Sequence, residues 1–397
     1  MADTFTEVTS KSWFSRIGQS IKSVLVGLIL FVVAFPVLYW NEGRAVRTAR
    51  SLKEGAGAVV SVQADRVDPA NEGRLVHVSG EATTRETLTD PDLGVSANAI
   101  KLDRKVEMYQ WIEESKSEEK KKLGGGSETI TTYTYRKDWS RQAIDSSSFR
   151  HPEGHQNPGS LPLESRTITA ESVKLGAFTL SPPVVDRLTQ TVELPVGQAE
   201  AALIPAELAG RLHVQRGKYY VGANPSSPQV GDARIAFGVV KPGPRSLVAR
   251  QVSSTFEAYP AKAGSNILLV QEGIVSADAM FKAAEAANRA LTWLVRAGGF
   301  VLMFLGLFLV FRPIAVFGDV IPLVGTLVGA GLGFFCFLVA FGLSILTIAV
   351  SWIFVRPLLG VVLLILAGGA LFALIKLGLK KKKARAAMPP VPAPGAA

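Results

Sequence analysis

The chain has 397 residues, with 43 Lys and Arg against 33 Asp and Glu, a formal net charge of +10 and a hydrophobic fraction of 48%. That length holds more than one domain, and the single cysteine, Cys336, excludes an internal disulfide or a cysteine-based metal site. The strongest basic cluster abuts an apolar run and lacks interleaved aromatics, which favours anionic lipid headgroups over nucleic acid as its partner.

In chain order, residues 1–22 form a short segment expected to be cytoplasmic. The apolar run over 23–40 reads as a first transmembrane helix, because about 20 apolar residues cross a hydrocarbon core. It exceeds a signal-peptide core, and Tyr39-Trp40-Asn41-Glu42 offers no small-residue cleavage site. Arg44 to Lys53 extends the helix, stopping at Gly55 or Gly57.

Residues 41–275 are expected to fold as a β-rich extracytoplasmic domain. Short runs such as Ala58 to Val62, Arg74 to Val78, Lys218 to Val221, Arg234 to Val240 and Ile267 to Val270 are separated by Gly, Pro and Asn. Val106 to Ile112 and Thr129 to Tyr135 pair as a long hairpin. The stretch between them, Glu113 to Ser127, mixes charges with a Gly run and reads as a mobile tip.

Residues 276–311 read as a stalk helix, capped by Ser276, that runs into the second span and ends at Arg312-Pro313. Spans three and four follow at 320–350 and 358–375, and 376–397 is a cytoplasmic tail, basic and then Pro/Ala-rich. Lys and Arg near the spans divide ten against seven in favour of the side holding the termini, which places both termini in the cytoplasm. The fold class expected is thus a four-span α-helical membrane protein with a β-rich α+β domain inserted between spans one and two.

Three residue sets stand out. Gly325, Gly329 and Gly333, spaced by four on the third span, form a stripe for helix packing or self-association. Lys380, Lys381, Lys382 and Lys383 suit anionic lipid. In Asn224-Pro225-Ser226-Ser227-Pro228-Gln229-Val230-Gly231-Asp232, Pro225, Pro228 and Gly231 fix turn dihedrals. There Asp232 either satisfies backbone N–H groups or pairs with Arg234.

Catalytic, cofactor and metal residues are not expected. His151 and His155 are spaced by four, but Pro152 and Gly154 argue for a surface loop over a helix carrying two ligands. No nucleophile elbow, phosphate loop or dinucleotide fingerprint is present.

The chain resembles the LUMA family, also called the transmembrane protein 43 family. The similarity runs from about Phe14 to Lys380. It rests on Asn41-Glu42-Gly43-Arg44-Ala45, Asn71-Glu72-Gly73-Arg74, Val106 to Trp111, Tyr133-x-Tyr135-x-x-x-Trp139, His155 to Pro158, Asn224 to Arg234, Ala249-Arg250-Gln251 and Arg356-Pro357-Leu358. The resemblance implies four spans, cytoplasmic or nucleoplasmic termini, a lumenal domain, self-association and a scaffold role with no cofactor. In eukaryotes it implies the endoplasmic reticulum and inner nuclear membrane. The Ala, Gly and Arg richness points instead to a bacterial member, with a periplasmic domain.

The function expected is therefore a non-enzymatic membrane scaffold that forms homo-oligomers and contacts lipid. A channel-like or sensory protein gated by the domain is the alternative. An extracytoplasmic hydrolase, built on His77 or His213 with a carboxylate and a nucleophile, is weaker.

Overall fold

The computed structural model describes residues 3–197, 205, 208, 210–356, 362 and 365. Among the described residues, three helices are long and apolar enough to cross a membrane. They are α1 (Trp13–Ala58), α2 (Ala277–Gly318) and α3 (Pro322–Val355). Apart from residues 362 and 365, the expected fourth span at 358–375 lies outside the described residues, as does the Lys380 to Lys383 run.

The helices outrun their expected limits. Ser12 caps α1 by accepting from the Ser15 N–H, and the helix continues through Gly55 and Gly57 to Ala58. Gly55 is tolerated there because it is needed: a Cβ would lie 2.5 Å from the Ile267 side chain. At the start of α2, the Ser276 hydroxyl accepts from Ala279 N at 3.4 Å, as a cap should. The helix does not stop at Arg312-Pro313 but runs on to Gly318. Pro313 removes a single backbone donor.

The described chain divides into two compact units. One comprises the residues up to Arg16, Thr48–Ala287 and Asp319–Pro322. The other comprises Ile17–Arg47, Asn288–Gly318 and the residues from Leu323 onward.

The first unit is built on two sheets. The larger contains β1 (Asp3–Lys11), β4 (Lys101–Lys121), β5 (Ser127–Ser140), β8 (Leu212–Gln215), β9 (Lys218–Val221) and β10 (Ala233–Val240). Their order is β1-β5-β4-β10-β9-β8, with β6 (Arg166–Thr169) also on β4 and β7 (Val192–Leu194) also on β10. The smaller sheet centres on β3 (Leu75–Thr83) and β11 (Gly243–Val252), which pair antiparallel with Val78 opposite Leu247. On β3 lies β2 (Val60–Val62), in parallel.

Alternation decides which faces are buried. Along β4 the residues Leu102, Arg104, Val106, Met108 and Gln110 are buried while their neighbours are not, the period of two expected of a half-buried strand. Leu102 and Val106 join Ile235 and Phe237 of β10 and Val76, Val78 and Leu247 of the smaller sheet in one core. A second cluster packs Leu52, Met280 and Phe281 against Leu75, Val248 and Ile267.

The segment expected to be a mobile tip forms the end of a two-stranded ladder. Strand β4 continues to Lys121 and β5 starts at Ser127, with the two paired from Met108 opposite Ser140 to the tip. The unforeseen strand β1 lines the outer half of β5, Asp3 opposite Tyr135 and Lys11 opposite Ser127. The turn itself is held by charge. Asp319, with a side chain 2% exposed, takes Arg16 Nη2 at 2.5 Å and Lys121 Nζ at 2.6 Å. Arg16 Nη1 also donates to the Gly125 carbonyl at 2.5 Å. Gly125 has φ +80, and a Cβ there would strike the Trp13 ring at 2.3 Å, so only Gly serves.

In the second unit, α1 and α2 approach backbone to backbone. A Cβ on Gly306 would meet Phe31 N at 2.5 Å, and one on Gly27 would meet the Gly306 carbonyl at 2.7 Å. Around them Ala34, Leu38, Met303, Leu307, Cys336 and Ala340 form the helical core.

Candidate functional site: a polar clasp across three helices

The Asn41-Glu42-Gly43-Arg44 segment ends the apolar run of α1 and faces a polar row on α2. Asn288, Thr292 and Arg296 are spaced by four, which puts them on one face of that helix. Asn41 Nδ2 donates to the Thr292 carbonyl at 3.1 Å, and Asn288 Nδ2 donates to the Ala45 carbonyl at 3.0 Å. Arg44 reaches Asn288 Oδ1 at 2.9 Å and Thr292 Oγ1 at 3.1 Å.

The centre is ionic. Arg296 grips Glu42 through Nε and Nη2 at 2.7 and 2.8 Å, the fork geometry that makes Arg–carboxylate pairs strong. Helix α3 joins through Trp352 Nε1, which donates to Glu42 Oε2 at 2.7 Å. The Arg296 guanidinium also lies 4.7 Å from the Trp293 ring centroid and 5.7 Å from that of Trp352. With Glu42 only 2% exposed and Arg296 16%, each charge depends on the other for solvation. The clasp can hold three helices in one register. Its carboxylate accepts from two N–H groups of Arg296 and from the Trp352 indole.

Sequence reasoning noted Asn41 to Arg44 only as part of a resemblance and missed its partners. The signal was present as three polar residues at spacing four on a helix whose continuation is apolar.

The glycine stripe sits differently from Gly27 and Gly306. Gly325 is buried and lies against Gly318, whose Cβ would be 3.6 Å from the Gly325 Cα. Among the described residues, a Cβ on Gly333 would only touch Phe308 at 3.9 Å, and nothing lies within 4 Å of one on Gly329 or Gly331.

The Asn224 to Asp232 turn packs in the first unit. Asp232, 4% exposed, takes the Tyr220 hydroxyl at 2.6 Å and the Gln229 N–H at 2.8 Å. Burial and this carboxylate push the Tyr220 hydroxyl pKa up. Asn224 Oδ1 accepts from Ser226 N at 2.9 Å, and Gly231 has φ +94. Asp232 thus meets a backbone N–H, while Arg234 turns away to Glu107 and stacks 4.6 Å over Trp139.

The histidines do not converge on a catalytic site. His77 Nε2 faces the Val275 carbonyl at 2.8 Å, so that nitrogen carries the proton. Ser79, 3.3 Å from the same nitrogen, therefore meets no base, while Ser61 Oγ faces the other ring nitrogen, Nδ1, at 3.3 Å. His213 is exposed on β8. His155 departs from its expected surface loop: it is 2% exposed and stacks on Tyr135 at 4.0 Å. No group of three His, Cys, Asp or Glu among the described residues is placed to hold a metal.

Comparison with known proteins gives a consistent answer. The family described as Transmembrane protein 43 matches residues 108–357. The chain is 36% identical to mouse Transmembrane protein 43, covering 89% of this chain and 90% of that protein. It is 36% identical to the human protein over 91% of each. Against the fruit-fly Transmembrane protein 43 homolog it is 32% identical, covering 87% of this chain and 92% of the other. No solved structure matches it significantly. These relatives are animal proteins and lend no support to the bacterial reading of its composition. With this identity over nine-tenths of its length, the chain belongs to the transmembrane protein 43 family.

Proposed function

We propose that the protein is a non-enzymatic multi-pass membrane scaffold that self-associates through α3 and presents its β-rich domain to partners. The observation that carries this reading is the Gly329 face of α3. Among the described residues, nothing lies within 4 Å of where a Cβ on Gly329 or Gly331 would stand, whereas Gly27 and Gly306 are used up in packing α1 on α2. Small residues on a lipid-facing stripe let a second helix approach closely enough for dispersion contacts and weak Cα–H hydrogen bonds.

The polar clasp fits the same role, since a scaffold needs its helices fixed in register. An endoplasmic-reticulum or inner-nuclear-membrane location, with Lys380 to Lys383 at the anionic surface, belongs to this proposal through the family resemblance. Two differently tagged copies expressed together are expected to co-purify from detergent, and Gly329→Leu is expected to separate them. Tagged copies that never co-purify would refute the reading.

A further inference from the structure

The outer face of the larger sheet carries a groove of about 420 Å³. Its floor is made by central strand β10, whose outward residues shrink from Arg234 to Ala236 to Gly238. Gly238 leaves room for the Thr191 methyl, which a Cβ there would meet at 2.4 Å. Lys105 on β4 is the register partner of Ala236. Lys218 of β9 precedes Tyr219, the partner of Ile235, and so flanks Ala236 from the other side. Neighbouring strands are about 4.8 Å apart, so the two lysine stems stand roughly 10 Å apart across the floor.

The charges do not cancel. Lys105, Arg141, Lys218 and Arg234 line the groove against only Glu107 and Glu193. Glu107 takes Arg141 at 3.1 Å and Arg234 at 2.5 Å, each through Nε alone. Hydrogen bonds from the two arginines hold its carboxyl below the usual range, against the opposing effect of burial. Both guanidiniums are thereby oriented, with Arg234 further fixed over Trp139, while their Nη groups have no hydrogen-bond partner among the described residues. Lys105 has no ion-pair partner there either. Planar Arg forks combined with Lys point charges form the usual set of groups for binding a phosphate oxyanion.

We propose that this groove binds a phosphate monoester, the Arg141 and Arg234 Nη groups and Lys105 taking its oxygens. A dianion would balance the two uncompensated positive charges. The phosphate belongs to a soluble metabolite or to a lipid headgroup, and the test separates the two.

Full-length protein in neutral detergent is titrated calorimetrically, at constant ionic strength, with glycerol phosphate and separately with dihexanoyl phosphatidate. Saturable binding is expected for at least one probe. Lys105→Ala and Arg141→Ala should each raise its Kd about tenfold, while the hairpin control Lys120→Ala leaves it unchanged. Both variants are at exposed positions, and unchanged circular dichroism checks that they fold. Binding of glycerol phosphate identifies a soluble ligand, and binding of phosphatidate alone identifies a headgroup. The proposal is overturned if neither probe saturates, or if the groove variants bind as the wild type does. It is equally overturned if Lys120→Ala weakens binding as much as they do.

Discussion

Glu42 and Arg296 lie 254 positions apart in the chain and meet through two N–H···O bonds of 2.7 and 2.8 Å. The pair joins the helix before the large domain to the helix after it. Neither residue stands in the centre of an apolar run, so the charges cost little until the helices pack and bury them. Once buried, they make wrong registers expensive.

Arg296→Met leaves the Glu42 carboxylate without its two strongest donors. The expected loss is about 3–5 kcal/mol of stability, read by denaturing the detergent-solubilised chain and following Trp fluorescence. Adding Glu42→Leu to that variant should recover much of the loss, because the unpaired charge goes with it. If Arg296→Met unfolds like the wild type, the clasp contributes nothing.

Gly306→Leu puts a side chain into the backbone of α1 at Phe31. It should destabilise the helical unit by roughly 3 kcal/mol or more. The same change at Gly329 meets none of the described residues and should leave the melting curve of the single chain unmoved. Equal destabilisation at both sites would place Gly329 inside the packed core.

Much of this was legible beforehand, for definable reasons. The apolar runs are long and nearly free of charge, so the spans could be read from solvation alone. Where a core strand alternates, as Leu102 to Gln110 does, its half from Val106 was found, whereas β11, buried without a break from Arg245 to Ala249, was not. What could not be read was pairing between distant segments. Strand β1 has four Thr and Ser hydroxyls and no apolar face of its own, and only β5 makes it a strand. Glu113 to Lys121 looked like a solvated loop because its side chains are charged, yet backbone pairing to β5 and the Asp319 ion pairs order it. The glycines in register on α3 drew notice, whereas Gly27 and Gly306 stand on different helices and have no spacing to give them away.

Tyr135 is fully buried. Its hydroxyl donates to Glu113 at 2.5 Å and accepts from His151 N at 2.9 Å. Burial, and then the Glu113 carboxylate, push its pKa up from 10.0 to about 12. A raised pKa means the folded state holds the proton more tightly than the unfolded state does. The stability this contributes is complete below pH 10 and is lost as pH rises towards about 12. Alkaline unfolding of Tyr135→Phe, followed by near-ultraviolet circular dichroism, should lack that part of the pH dependence. A variant with the wild-type alkaline profile would contradict it.

Arg16 and Lys121 share the Asp319 carboxylate, which requires the N-terminal segment and the hairpin tip on one side of the membrane, against the expected cytoplasmic N-terminus and extracytoplasmic domain. Ser10→Cys and Leu123→Cys are expected to react with an impermeant maleimide from the same face of sealed vesicles, with buried Cys336 as a low background. Labelling from opposite faces would mean that this ion-pair cluster does not form in the membrane.

The central claim, self-association through the free face of α3, is tested most directly by native mass measurement of the detergent-solubilised chain. The account predicts a discrete oligomer for the wild type and a folded monomer for Gly329→Leu. A wild-type chain that remains strictly monomeric at every concentration, or an oligomer untouched by Gly329→Leu, would contradict it.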